Sequence, residues 1–186
     1  MLTTTVFGGG VHGVGKTSLF ASLATALHFI HWTASDLIRA EKASAIQGDS
    51  KAVRDIEGNQ DLVVLGFRRA AMNVQGTILL DGHFTLLNTR GEIEDVPLRT
   101  FAALGSAGLV CISDKPALIR DRLLGRDGRA PAEQAIADHQ NREQAAARRV
   151  ALALGIPLCE VSLEDRVTLT DFLAGYGSTD VVPTGS

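Results

Sequence analysis

Cysteine is scarce in this chain of 186 residues, with only Cys111 and Cys159, each inside an apolar stretch. That excludes a disulfide framework and reads as two small core residues. No apolar run approaches the ~18 residues needed to span a bilayer. The start, residues 1–7, has no basic region ahead of its apolar residues and runs straight into glycines, so it does not read as a secretory leader. The expected location is cytoplasmic, and no membrane partner is expected. Positive charge is not in excess either: a net charge of -3 gives no bulk attraction to nucleic acid. No basic groove with interleaved aromatics is visible, so nucleic acid is not an expected partner. Internal repeats, low-complexity blocks and Pro/Ser-rich linkers are missing as well.

What is present is the composition of a folded domain, 45% hydrophobic and 21% charged. A single domain over residues 1–175 accounts for the chain, and residues 176–186, rich in Gly, Ser, Thr and Pro, are expected to be a flexible tail. Short β-like runs fall at residues 2–7, 29–33, 77–80, 109–113 and 156–161. Helical stretches lie between most of them, at 16–27, 34 to about 45, about 59 to 73, 115 to about 124, and 131–154. A last helix is expected over 163–173, with Ser162 as its cap. Strands alternating with helices predict an α/β domain with a mostly parallel sheet. Between Gly82 and Leu98 the alternation breaks, and Asn88-Thr89-Arg90-Gly91 reads as a turn joining two short extended pieces.

One motif carries chemistry on its own. Gly10-Val11-His12-Gly13-Val14-Gly15-Lys16-Thr17 fits the eight-residue phosphate-loop pattern without a mismatch, after a β-rich run and before a helical one. Glycines let successive N–H groups turn inward around a phosphate, and the helix N-terminus adds partial positive charge. The pattern places Gly10, Gly13, Val14 and Gly15 around bound ATP, with Lys16 on the β- and γ-phosphates. Thr17 falls on Mg²⁺, and Ser18 is a further candidate for a phosphate contact. His12 reads as a loop-packing residue whose side chain points away from the phosphates.

A phosphate loop needs an acidic partner at the end of a neighbouring strand, and Thr77-Ile78-Leu79-Leu80-Asp81 supplies one. Asp81 is then a Mg²⁺ ligand, usually through water, or else the cap of the turn before Gly82. His83 faces the acceptor or bonds to the turn's backbone. Fourteen of the eighteen basic residues are arginines, the type suited to bidentate phosphate binding. Several of them gather in Asp121-Arg122-Leu123-Leu124-Gly125-Arg126-Asp127-Gly128-Arg129 and in Asn141-Arg142. Arg122 and Arg126, four residues apart, share one helix face. Such a group can neutralise charge on a phosphoryl group in flight, or pair with Asp121 and Asp127 as a solvated face.

In this order the segments resemble nucleoside monophosphate kinases, most closely the archaeal-type adenylate kinases with short lids and related ATP-binding proteins classed as AAA. The resemblance runs from the phosphate loop through Ser35-Asp36-Leu37-Ile38-Arg39 and Asp81-Gly82-His83 to Asp121-Arg122-Leu123-Leu124-Gly125-Arg126 and His139-Gln140-Asn141-Arg142. It implies the three-layer P-loop fold, with a parallel five-stranded sheet of order 2-3-1-4-5 flanked by helices. It also implies a monophosphate-binding segment over about 34–75 and a short lid over about 122–142. Carried over by position, Arg39 holds the acceptor phosphate with Asp36 beside it, and Gln60 lies near the acceptor base. Arg122 lies near the adenine of ATP, while Arg126, Arg129 and Arg142 contact phosphates. Two departures stand out: Asp81-Gly82-His83 replaces the usual Asp-Thr-His, and residues 129–131 leave no room for a long lid.

The reading these residues support first is Mg²⁺-assisted transfer of the γ-phosphoryl of ATP to a nucleoside monophosphate, with AMP as first choice. Two others stay open. One is a kinase with a hydroxyl acceptor, where Asp36, Asp81 or His83 would serve as base. The other is an ATPase or switch acting on a protein partner, for which the long segment from Gly82 to Leu98 would be the binding loop.

Overall fold

The structure, a computed structural model, describes residues 3–46 and 58–177. The elements are β1 (Thr3–Gly9), α1 (Lys16–Leu27), β2 (Ile30–Thr33), α2 (Ala34–Ile46), α3 (Asn59–Ala71) and β3 (Gly76–Asp81). A hairpin of β4 (Thr85–Leu87) and β5 (Ile93–Asp95) follows, then α4 (Leu98–Leu104), β6 (Ser106–Ser113) and α5 (Pro116–Asp127). The chain continues as α6 (Glu133–Leu154), β7 (Leu158–Ser162) and α7 (Arg166–Ala174). Residues 47–57, inside the segment expected to bind a monophosphate, lie outside the described residues, as does the expected tail from residue 178 onward.

Five strands form one parallel sheet in the order β2-β3-β1-β6-β7. With the hairpin left out of the count, this is the order 2-3-1-4-5. Side chains alternate across the pleat, so each central strand feeds both faces. Val6, Leu79, Val110 and Ile112 point to one layer with Phe20 of α1, Ile119 of α5 and Leu169 of α7. Phe7, Ile78, Leu80, Leu109 and Cys111 point to the other, against Phe67 of α3, Phe101 of α4 and Ala147 of α6. Continuous apolar runs in β3 and β6 are what burial on both faces requires. Both cysteines are free and buried, and among the described residues no helix is long and apolar enough to cross a membrane.

Two expectations need correction, and one helix was not expected. The last helix begins at Arg166, and Asp165 caps it by accepting from the Thr168 N–H at 3.1 Å. Ser162 cannot be the cap, because it is still in the sheet, paired with Ser113, and the Leu163 N–H continues that ladder to the Ser113 carbonyl. The segment 98–104 is helical: Pro97 sits at the helix N-cap position, and Thr100, Phe101 and Leu104 bury one face. Seven residues are too few for a helical period to stand out from the irregular stretch before them. Strand β6 begins at Ser106, three residues early, because Ser106 and Gly108 pair with β1 around a register shift.

Candidate functional site

The glycines after β1 shape a loop that no other residue type would allow. Gly13 has φ 80, and a Cβ there would stand 2.7 Å from Leu123 Cδ2; Gly15 has φ 100 and forms the N-cap of α1. No side chain caps that helix and no acidic residue lies in its first turn, so its free N–H groups are left for an anion. Lys16 begins the helix and is buried, 7% exposed. Its Nζ lies 3.6 Å from Asp81 Oδ1 and 3.5 Å from His83 Nε2. Thr17 Oγ1 donates to Asp81 Oδ2 at 2.5 Å. Strand β3 brings Asp81 here because it pairs in parallel beside β1, so that both strands end at the same edge.

The P-loop, the β2–α2 junction, the end of β3 and α5 enclose a cavity of about 480 Å³. Lys16, Thr17, Ser18, Asp36, Asp81, His83, Arg122 and Arg126 all line it, as do Gly13 and Gly15. His12 also lines this cavity, its ring 6.0 Å from that of His83, which corrects the expectation that it points away. A second, smaller cavity of about 170 Å³ meets the first along Ala34, Ser35 and His83. Its walls are mostly apolar, Ile38, Val63, Leu86, Val96 and Phe101 among them, with Asn59 and Gln60 on one side.

Gly10 and Val14 do not line the cavity: the Gly10 N–H donates to Glu143 Oε1 at 3.0 Å, and the Val14 carbonyl accepts from Arg122 Nη1 at 3.1 Å. Arg39 is exposed and paired with Asp36 at 2.6 Å. Arg126, within the cavity lining, forks onto Asp127 at 2.7 and 2.6 Å, and Arg129 is exposed, away from the lining. Arg142 pairs with Asp95 on the hairpin at 2.9 Å and does not reach the cavity.

Electrostatics at the site follow from burial. Desolvation lowers the Lys16 pKa, against the pull of Asp81 and Glu143. His83 is pushed down to about 3 by burial, then by Lys16 and His12, so it is neutral. An ammonium has no acceptor, so His83 Nε2 accepts from Lys16 and the proton sits on Nδ1. The Thr33 hydroxyl, donating at 2.7 Å, holds the Asp36 carboxyl below its usual range, with Arg39 helping.

Three residues of this network were not singled out from the sequence. Glu143 is buried in α6, and Gln140, one turn earlier, exchanges two 2.9 Å hydrogen bonds with the Asp114 backbone. Asp114 in turn takes Arg122 Nη2 at 2.5 Å. The signal was present, since Ile136, Gln140, Glu143, Ala147 and Val150 recur at helical spacing, putting two polar residues on the core face.

Donor set and shape fit a magnesium nucleotide: a hydroxyl and a carboxylate for the ion, a lysine and a free helix N-terminus for phosphates. Sheet order, loop and site together define a P-loop nucleotide-binding α/β domain. A family model described as an AAA domain matches residues 9–140, and the chain belongs to that family. No curated protein matches the sequence. Among solved structures, a gluconokinase from Sinorhizobium meliloti 1021 is similar at 12% identity and TM-score 0.51, covering 92% of this chain and 94% of that one. A protein from Chloroflexus aurantiacus j-10-fl described provisionally as a kinase is similar at 16% identity and TM-score 0.54, with 93% and 94% covered. These likenesses are likenesses of fold.

Proposed function

We propose that the protein is a kinase that transfers the γ-phosphoryl group of Mg·ATP to a small molecule, and that the acceptor is a nucleoside monophosphate, AMP first. The observation that carries this reading is the junction of two cavities, the polar one around Lys16 and the apolar one beside it, at Ala34, Ser35 and His83. A phosphoryl donor and a flat acceptor base need such a pair of sites with their reacting ends adjacent. Gln60 and Asn59 offer amide groups to a base edge, and Arg39 would leave Asp36 to take the acceptor phosphate. The described kinase among the similar folds agrees with the class of reaction.

In the transfer, an acceptor oxygen bonds to the γ-phosphorus while the bond to the β,γ-bridging oxygen breaks and ADP leaves. Lys16 and the α1 N-terminus hold negative charge on the donor, and Arg122 and Arg126 line the same cavity. Bound Mg²⁺, held by Thr17 and Asp81, supplies charge neutralisation on the phosphates. An acceptor phosphate is already ionised, so His83 need take no proton.

A hydroxyl acceptor is the second reading, and one observation favours it: Asp36 lines the larger cavity, where a carboxylate would take the hydroxyl proton. The test is an acceptor panel: purified protein with Mg·ATP and each nucleoside monophosphate, nucleoside or small alcohol in turn, with products separated by chromatography. Equal amounts of ADP and nucleoside diphosphate are expected with one monophosphate. A phosphorylated alcohol instead would move the assignment to the second reading, and free phosphate alone would contradict both.

A further inference from the structure

We infer that Glu143 is a positioning residue that locks the floor of the donor site to the floor of the acceptor site. This rests on the kinase reading and adds to it a residue outside both cavities. Glu143 is 1% exposed and lies in the middle of α6. Its Oε1 accepts from the Gly10 N–H at 3.0 Å and from the Phe84 N–H at 2.8 Å. Its Oε2 accepts from the Thr85 N–H at 2.7 Å and from the Thr85 hydroxyl. The His83 ring stands 4.0 Å from Oε1 through Nδ1.

One carboxylate therefore joins the first residue of the phosphate loop to the turn that carries His83, the residue shared by both cavities. Four donors and no acceptor face it, so every lone pair is used and the ionised form is the one that fits. Burial raises the Glu143 pKa, and the Thr85 and Phe84 donors pull it back in part. A second observation is independent of the hydrogen bonds. Gly9 precedes the loop motif, and a Cβ there would stand 2.5 Å from the Phe84 ring and 3.2 Å from Glu143 Oε1. The end of β1 is a glycine where the clamp needs the space.

Glu143 lines neither cavity, so its loss should leave nucleotide affinity alone and disturb the alignment of the two floors. Misplacement by about 1 Å can cost ~100-fold in rate. Gln has the shape of Glu but one acceptor oxygen, so Glu143→Gln leaves one of the two donor pairs facing an amide NH₂.

The experiment compares wild type, Glu143→Gln and Thr85→Val, the last removing only one hydroxyl in case the first does not fold. Amide hydrogen exchange is read by NMR without nucleotide. In Glu143→Gln, either the Gly10 and Phe84 amides or the Thr85 amide should exchange at least ~10-fold faster. In the transfer assay, Glu143→Gln should lose at least ~10-fold in kcat with KM for ATP within ~3-fold, and Thr85→Val should show a smaller loss of the same kind. A folded Glu143→Gln protein with wild-type kcat would overturn the inference, as would a rise in KM with kcat unchanged. If the wild type transfers to no acceptor, the kinase reading fails separately. The amide arm then decides the clamp, and unchanged exchange of all three amides overturns it.

Discussion

His83 is a neutral imidazole between a buried ammonium and a buried carboxylate, and its titration should be visible in stability. Its folded pKa, about 3, lies below the unfolded value of 6.5. Between those values the unfolded chain binds the proton and the native protein does not. Stability is therefore full above pH 6.5 and falls as pH drops through 6.5 toward 3. His83→Asn should remove that part of the slope. Thermal melts from pH 7.5 to 4.5 should show wild type losing more Tm than the variant, and equal losses would show that His83 is not held neutral. At this scale the loop glycines, Lys16, Thr17 and Asp81 were legible because a phosphate loop fixes residue types at fixed spacing. Glu143 was legible only as a polar residue on the core face of a helix, because its partners, three backbone N–H groups and the Thr85 hydroxyl, lie on distant segments and form no motif. For Arg39 and Arg142 the motif says where the backbone runs, while the carboxylates their guanidinium groups meet, Asp36 and Asp95, follow from the fold.

Among the elements, the hairpin β4–β5 is tied to α6 from outside, where Asp95 takes Arg142 Nε at 2.9 Å and Arg149 Nη2 at 2.5 Å. The same hairpin contributes Leu86 to the wall of the smaller cavity. All three charged side chains are a third to a half exposed, so the staple should contribute about 1 kcal/mol or less. Asp95→Ala and Arg142→Ala should each lower Tm by no more than about 4 °C. Arg142→Ala should keep kcat within about twofold, while Arg126→Ala, which alters the cavity lining, should lower kcat. An equal or larger kcat loss in Arg142→Ala would mean that this arginine leaves Asp95 and reaches the phosphates. The hairpin itself was legible from Asn88-Thr89-Arg90-Gly91: the Asn88 side-chain carbonyl accepts from the Arg90 and Glu92 N–H groups, both at 2.9 Å. Helix α4 was not, because its apolar face shows only against the Phe7 and Phe84 rings it packs on.

The molecule as a whole is a sheet with two covered faces and one working edge. Parallel pairing of β1 with β3 aligns the strand ends, and the site residues gather at those ends: the phosphate loop after β1, Asp36 after β2, Asp81 as the last residue of β3 and His83 after it. The sheet order was legible through family resemblance, since strand neighbours are non-local and no local pattern encodes them. The smaller cavity was not, because it is assembled from β1, α2, α3, the turn that carries His83, the hairpin and α4.

On the proposed function this edge moves a phosphoryl group, and Lys16 is needed for it. The most direct measurement is ³¹P NMR of Mg·ATP with AMP, for wild type and for Lys16→Ala checked by circular dichroism and thermal melt. ATP and AMP signals should convert to ADP in wild type, and conversion should slow at least ~100-fold in a folded Lys16→Ala protein. Equal conversion by the two proteins would contradict that reading.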